Sequence, residues 1–412
     1  MLILHTSDWH LGRSLHGADL SEETGEFLAW LVDLVRECRV DAVLVSGDVF
    51  DRAVPSVVAL RQLSEVLPAL CSLAGVVMIP GNHDSASRLG FAAGMYRDEL
   101  RIVSEPARIG EAVELRGADG VRALVYPIPY LEPDLVRYAL AEDDPAAGTP
   151  GEGPTPLPRS HEAVMAQALR RVGRDLGARR SDGDDAPALA MVHAFVTGGE
   201  PSDSERDIQV GGVPSVPAAL FDTLGGVAEV DATATHGLDY VAAGHLHRPQ
   251  DVSGARVPLR YAGSPLAYSF SEAGAEKSVT LLDVDAHGLR GREVVPVPTR
   301  RGLSVLRGTL AELLGPDHAD AVDDWVSATV TDDARPDEMV TRIRARFPHA
   351  LVVTHEPATR PSTEGPGRAV ATRSPRDVSR DFFAEVGGRE LDDAEGALLD
   401  DAWTALRTGV GA

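Results

Sequence analysis

Apolar runs and polar breaks alternate regularly over the first ninety residues. Leu2–Leu4 reads as a short buried strand that gives way at Thr6-Ser7-Asp8. Phe27, Leu28, Leu31, Leu34 and Val35 recur at helical spacing and predict an amphipathic helix over Glu22–Arg39. Ala42–Val45 predicts a second strand, ending at Ser46-Gly47-Asp48, and Val57–Leu70 a second helix, broken at Pro68. Val76–Ile79 predicts a third strand, ending at Pro80-Gly81-Asn82-His83-Asp84. Further on, Ala188–Val192 stops at His193, and Tyr240–Ala243 stops at Gly244-His245-Leu246-His247. Open α/β sheets carry their sites at the carboxyl ends of strands, so strands that repeatedly stop at metal-binding residue types are informative as a set.

The rest of the chain divides by pattern. Glu142–Ser160 and Arg179–Pro187 are loops rich in Pro, Gly and acid, with an amphipathic helix over His161–Leu176 between them. Ser278–Val284 and Glu293–Val297 alternate and predict antiparallel pairing. From about Arg300, Ser304–Arg307, Ala319–Val330, Pro336–Phe347 and Ala350–Thr354 predict a small α/β unit. Ala358–Arg376 then reads as a linker, and Val378–Val386 with Ala394–Leu406 as a closing pair of amphipathic helices. The resulting divisions are 1–298, 299–357, 358–376 and 377–412.

A length of 412 residues suits two or three domains, and 43% hydrophobic with 25% charged residues is a soluble globular composition. Apolar stretches such as Val76–Ile79 fall far short of a membrane helix, and the N-terminus shows no basic region before an apolar core. A cytoplasmic protein is expected. Cys38 and Cys71 make neither a C-x-x-C pair nor a disulfide framework; each lies in an apolar helical pattern, so buried packing is expected for both. The net charge is −24, and Lys277 is the only lysine. Such acidity argues against DNA binding through a general basic surface, so phosphate chemistry needs local positive charge, as from metal ions.

A two-ion site needs a bridging ligand and several terminal ones. Carboxylate can bridge, and imidazole or amide oxygen can terminate, for metals such as manganese, iron or zinc. Asp8 and His10 lie two apart, as do His245 and His247, a spacing that on extended strand ends points both side chains one way. Gly47, Gly81 and Gly244 each precede a ligand type and let the backbone turn closely. Singly these motifs arise by chance, and a lone buried histidine such as His193 is commonly a core residue; together, each after a buried strand, they form a pattern.

That order, D-x-H, G-D, G-N-H-D, H and G-H-x-H, resembles the calcineurin-like metallophosphoesterase superfamily. MLILHTSDWHLGRSL, VDAVLVSGDVFDR, VVMIPGNHDS, SERDIQVGG, LDYVAAGHLHRPQ and RYAGSPLAYSFSEAGAEKSV resemble, within it, the SbcD family of bacterial DNA nuclease subunits. The likeness runs over roughly Met1–Val297 and continues more loosely beyond. It implies a mixed α/β fold: a four-layer α/β/β/α sandwich with a small C-terminal α/β cap and a terminal helix pair.

Position by position, the resemblance implies Asp8, His10 and His247 on one divalent ion, Asn82, His193 and His245 on a second, and Asp48 bridging. The ions are expected to be manganese, with magnesium or iron as alternatives. His83 then faces the scissile phosphate and serves the leaving group, and Asp84 orients His83. Asp51 stands where archaeal and eukaryotic relatives carry a histidine, and reads as a supporting residue. Arg13, His16, Arg52 and Arg88 are candidate DNA phosphate contacts, against the alternative of a solvated surface. His5, Trp9 and Gly263-Ser264-Pro265 read as structural.

The implied activity is hydrolysis of DNA phosphodiesters by a water that two metals activate, as 3'-5' exonuclease on double strands and endonuclease on single strands and hairpins. The implied partner is an SbcC-like ABC-type coiled-coil ATPase bound by the terminal helices, within a two-plus-two heterotetramer built on a homodimer. The substrates are double-stranded ends and hairpins, met in repair and recombination. The alternative is a phosphatase or small-molecule phosphodiesterase on the same fold, since fold does not fix substrate. A scaffold without activity is disfavoured because every ligand position is filled.

Overall fold

The computed structural model describes residues 1–96, 98–141, 155–205, 215–225, 237–357, 374–387 and 389–409. Most of the expected loop 142–160, most of SERDIQVGG and most of the expected linker 358–376 lie outside the described residues.

In chain order the body contributes strands β1 (Leu2–Thr6), β2 (Ala42–Ser46), β3 (Gly75–Ile79) and β4 (Leu100–Ile102), then β5 (Val113–Arg116) and β6 (Arg122–Ile128). There follow β7 (Ala188–His193), β8 (Tyr240–Gly244), β9 (Gln250–Asp251), β10 (Leu259–Tyr261), β11 (Ser278–Asp285) and β12 (Gly288–Pro296). They form two six-stranded sheets, ordered β12-β11-β1-β2-β3-β4 and β9-β10-β8-β7-β6-β5. The middle of each sheet is parallel: β1 to β4 in the first and β6, β7, β8 and β10 in the second. Antiparallel partners flank these cores, including the β11–β12 pair foreseen from alternation.

Side chains alternate between two interiors, as the pleat requires. Ile3, Leu44 and Val77 face Val125, Leu189 and Met191 in a core between the sheets. Leu4, Val43 and Val76 face outward onto Phe27, Leu31, Leu63 and Leu70 of helices α1 (Ser21–Cys38) and α2 (Val57–Cys71). On the far side, Tyr126, Ala190 and Val192 pack on helices α3 (Pro133–Ala141) and α4 (His161–Ser181), through Leu140, Val164, Leu169 and Val172. The result is the expected α/β/β/α sandwich.

Strands β13 (Leu303–Gly308), β14 (Trp325–Val330) and β15 (Ala350–His355) form a separate all-parallel sheet. It is covered by helix α5 (Met339–Arg346), whose Met339 and Ile343 pack on Val326, Ala328 and Val330. This cap has its own core yet belongs to one compact unit with the body, spanning 1–332 and 336–356. Leu303, Trp325 and Leu351 join it to Leu15, Leu20, Leu266 and Tyr268. Helices α6 (Pro375–Gly387) and α7 (Asp393–Gly409) belong to a second unit and pair with one another, with Arg376 and Arg380 of one on Asp400 of the other. Helix α6 begins two residues inside the expected linker. No helix among the described residues is long and apolar enough to cross a membrane.

Three local expectations change. Helix α2 runs through Pro68, which lies in its last turn, where a missing amide costs a single bond and does not end the helix. Cys38 is exposed and Cys71 half-buried, because each is the last residue of its helix, where packing neighbours thin out. Strands β5 and β6 and helix α3 add to the expected elements: Ala123–Ile128 is an apolar run, and Val136 and Leu140 repeat at helical spacing after Pro133.

Candidate metal centre

The carboxyl ends of β1, β2 and β3 in one sheet meet those of β7 and β8 in the other. Backbone bonds lock the meeting point. Asp8 N–H donates to Gly47 O (3.0 Å) and His10 N–H to Asp48 O (2.9 Å). His83 N–H donates to Asp48 Oδ1 (2.9 Å), and His245 N–H to the Asp8 carboxylate (3.1 Å).

The side chains do not converge by strand alternation as the spacing suggested. Asp8, His10 and Asp48 take left-handed backbone, with φ of 53°, 45° and 49°, and His245 sits at φ 114°. Each such residue costs on the order of 1–3 kcal/mol, and such strain concentrates at functional sites. The chain turns inside the motif, and the turn, not the pleat, aims both members of each pair. The three glycines act by close approach. A Cβ on Gly47 would lie 2.3 Å from His193 Nδ1, on Gly81 2.1 Å from Asp48 Oδ1, and on Gly244 1.9 Å from Ser46 O.

The seven expected ligands come together, six of them buried and Asn82 half-buried. Asp8, His10 and His247 present atoms within 4.8 Å of one another, as do Asp8, Asp48 and His193. His10 Nε2 lies 2.9 Å from His247 Nε2. Asn82 Oδ1 lies 2.9 Å from His193 Nε2 and 3.2 Å from His245 Nδ1. Asp48 Oδ2 stands between the two groups, 3.6 Å from His10 Nε2 and 3.5 Å from His193 Nε2.

Electrostatics set the protonation states. Burial lowers His10 and His247 well below the ordinary imidazole range and takes His245 down to about 3, leaving neutral rings with lone pairs. Burial opposes charge on Asp48, but His193 foremost, with His10 and His83, holds it well below the usual carboxylate range. Burial would also lower His193, but the facing Asp48 carries it up to about 9. Asp8 is pushed up to about 7, by burial first, against the pull of His193.

This donor set fits divalent cations. Two bare imidazole nitrogens 2.9 Å apart repel unless a proton or a cation lies between them. Nitrogens bound at right angles at about 2.1 Å lie about 3 Å apart. His10 Nδ1 and Asn82 Nδ2 are buried without a hydrogen-bond partner. Mixed carboxylate, imidazole and amide oxygen suits manganese, iron or zinc.

His83 is 7% exposed and lines an open pocket of about 330 Å³ with Arg13, Ser14, Asp51 and Arg52. Its Nδ1 donates to the Asp51 carbonyl (2.8 Å), which turns Nε2 toward Asp48, 4.0 Å away. The expected Asp84 support for His83 is not found. Asp84 instead accepts from the amides of Val49, Phe50 and Gly81 (2.8–3.0 Å), tying the Asp48 loop to the Asn82 loop, and Asp51 takes over the contact with His83. Asp51 also places a carboxylate oxygen 3.8 Å from His10 Nδ1, the supporting role read for it.

The candidate DNA contacts differ among themselves. Arg13 is engaged by Ser204 O (2.6 Å) and Asp51 and lies over the Tyr268 ring. Arg52 is 77% exposed in its side chain beside Asp51, Arg88 is exposed and donates to Ala53 O, and His16 is exposed against Phe270.

Sequence reasoning missed a set of supporting residues. Tyr268 lies edge-on to His10 and His247 and donates to Trp9 O (2.7 Å). Ser204, Glu205, Glu272 and Lys277 surround His247. A lone lysine was the available signal, and it lies within RYAGSPLAYSFSEAGAEKSV.

Residues 1–161 match the calcineurin-like phosphoesterase family, and residues 299–387 match the family described as type 5 capsule protein repressor C-terminal domain. Over 289 residues the chain is 35% identical to the D subunit of the nuclease SbcCD of Bacillus subtilis (strain 168). That stretch is 69% of this chain and 66% of the relative, just under two thirds of the relative's length. Among solved structures, a dimetal phosphatase from Danio rerio is 16% identical, with a TM-score of 0.39, over 73% of this chain and 99% of the other. The protein TT1561 of Thermus thermophilus is 17% identical, with a TM-score of 0.37, over 72% and 99%.

Proposed function

We propose that this chain, whose residues 1–161 match the calcineurin-like phosphoesterase family, hydrolyses DNA phosphodiester bonds as the nuclease subunit of an SbcCD-type complex. The observation that carries the hydrolytic reading is the closure of six ligand-type side chains around a seventh, Asp48. The substrate class is supported by the likeness to the Bacillus nuclease subunit.

Asp8, His10 and His247 would hold one divalent ion, Asn82, His193 and His245 the other, with Asp48 shared. Bound there, such ions supply Lewis-acid polarisation of the phosphate and an activated water. The chain's own residues do the rest. Neutral His10, His245 and His247 keep their lone pairs without losing a proton first. His83, whose Nδ1 proton is committed to Asp51, offers Nε2 to the leaving oxygen and serves as a proton donor there when the ring carries its second proton. Asp84 holds the two loops in register, and Asp51 backs His10. The pocket beside His83, lined also by Arg52, would admit the phosphate, and the exposed Arg88 and His16 would contact the flanking backbone.

The finer reading is 3'-5' exonuclease on blunt duplexes with endonuclease action on hairpins and single strands, supported by manganese, in the cytoplasm. An ABC-type coiled-coil ATPase would bind the α6–α7 pair, where Phe382, Val386 and Leu398 are exposed. A second copy would cover the exposed Val57, Val58, Phe91 and Met95.

The test is manganese-dependent cleavage of blunt duplex DNA by the wild type and by His83→Gln, each with and without the ATPase partner. The wild type is expected to cut, and the variant to bind metal and lose about 10²–10⁴-fold in rate. A wild type that hydrolyses a small phosphodiester but not DNA would move the substrate to the phosphatase class.

A further inference from the structure

We propose that Ser204, Glu272 and Lys277 form a buried relay that fixes the tautomer of His247, so that its Nε2 lone pair is presented to the metal centre. This rests on the metal-site reading above and adds positioning residues to it.

The argument is one of counting protons. Ser204 Oγ lies 2.5 Å from His247 Nδ1 and 2.7 Å from Glu272 Oε1. A hydroxyl has one proton to give. Ser202 Oγ, 2.9 Å away, and a bare His247 Nδ1 are the other acceptors within reach, but both are neutral, and a carboxylate is the stronger acceptor. The Ser204 proton therefore goes to Glu272, and Ser204 can only accept from His247. Nδ1 must then carry the ring proton, and Nε2 is left bare, facing His10 Nε2 at 2.9 Å.

Glu272 is kept as an acceptor by its surroundings. It is 1% exposed, takes Tyr268 N–H on Oε1 (3.0 Å) and pairs with Lys277 on Oε2. Lys277, 3% exposed, spends its three protons on Glu272, Ser264 Oγ (2.8 Å) and the His247 carbonyl (2.8 Å). The His247 amide is in turn held by Glu205 (2.7 Å). Backbone and ring of one residue are thus gripped from three sides. Three acceptors around one point suit an ammonium and not the planar fork of a guanidinium, which accounts for a lysine here in a chain that otherwise uses arginine.

The test combines histidine nitrogen NMR with manganese titration by calorimetry, on full-length protein. In the metal-free wild type, His247, assigned by comparison with His247→Asn, should show a protonated Nδ1 and bare Nε2. Ser204→Ala removes the acceptor while leaving the Glu272–Lys277 pair intact. It should melt close to the wild type, show a mixture of tautomers at His247 and bind one of its two manganese ions about 10–100-fold more weakly. The paired change Glu272→Gln with Lys277→Met keeps the buried charge balanced and lets an amide donate to Ser204; it should shift His247 toward the opposite tautomer. A Ser204→Ala protein with unchanged tautomer and unchanged manganese affinity overturns the relay alone. A wild type that takes up no pair of manganese ions overturns the metal-site reading with it.

Discussion

The closest backbone approach in the site gives the sharpest perturbation. Gly244 has ordinary backbone angles, so Gly244→Ala adds a methyl group without dihedral strain. That methyl carbon would sit 1.9 Å from the Ser46 carbonyl and 3.0 Å from His193 Nδ1. Relief to a tolerable contact needs the ends of β2 and β8 to part by about 1 Å. The Ser46 carbonyl also accepts the His193 Nδ1 proton (2.9 Å), so His193 moves with it. Overpacking of this kind costs about 1–3 kcal/mol. In a body of this size that lowers the melting temperature by roughly 2–6 °C, leaving the protein folded. A displacement of about 1 Å at reacting groups costs on the order of 10²-fold in rate. The variant should therefore melt slightly lower while losing manganese-dependent hydrolysis by that factor. Gly291→Ala, whose added carbon meets nothing within 4 Å, is the control and should change neither. Thermal melts and initial rates on duplex DNA and on a small phosphodiester read the difference. Should Gly244→Ala keep a rate within about threefold of the wild type, the close approach of the two strand ends does not set the site's geometry.

Four further outcomes are expected. Asp84→Ala strands the amides of Val49, Phe50 and Gly81, each costing about 1–3 kcal/mol when unpaired, so a loss of at least about 2 kcal/mol in denaturant melts is expected together with loss of hydrolysis. Saturating manganese, at about 100 times its dissociation constant, should stabilise the wild type by about 2.7 kcal/mol per site, an increment that chelator removes and that Asp48→Asn shows in reduced form. His5, taken down to about 3 by burial first and Arg260 second, is neutral in the folded state; its contribution to stability is full above about pH 6.5 and is lost as pH falls toward 3, so His5→Leu should flatten part of the acid slope of the metal-free melting temperature. Arginine at Phe382 and Val386 of α6 should abolish co-purification with the ATPase and leave manganese-dependent cleavage by the isolated chain unchanged, whereas retained co-purification would place the partner elsewhere.

Much of the site was legible because its ligands lie at the ends of apolar strands, and a buried strand that stops at Asp, Asn or His announces itself locally. The sandwich was implied by the family resemblance, and the strands fit it, since Ile3 and Leu4 serve opposite interiors. What was illegible depends on distance along the chain. Ser204, Glu272 and Lys277 meet His247 only after folding, across up to 68 positions between Ser204 and Glu272. Asp84 was assigned to its sequence neighbour His83, but a carboxylate facing three free amides binds those instead. The left-handed turns at Asp8, His10 and Asp48 leave only a faint mark in residue type, since Asp and His enter that region more readily than most residues but usually do not.

Lys277 is the chain's single side-chain amine, and its burial hides that amine behind the candidate centre. Acylating reagents therefore meet no lysine on the folded surface, and a mass shift at Lys277 records a molecule whose core has opened. The extent of labelling over time counts excursions of this one region, without a probe having to be engineered into it. The same arrangement constrains sequence drift: exposed arginines tolerate exchange for lysine far better than position 277 tolerates the reverse, which would dismantle the buried pair with Glu272.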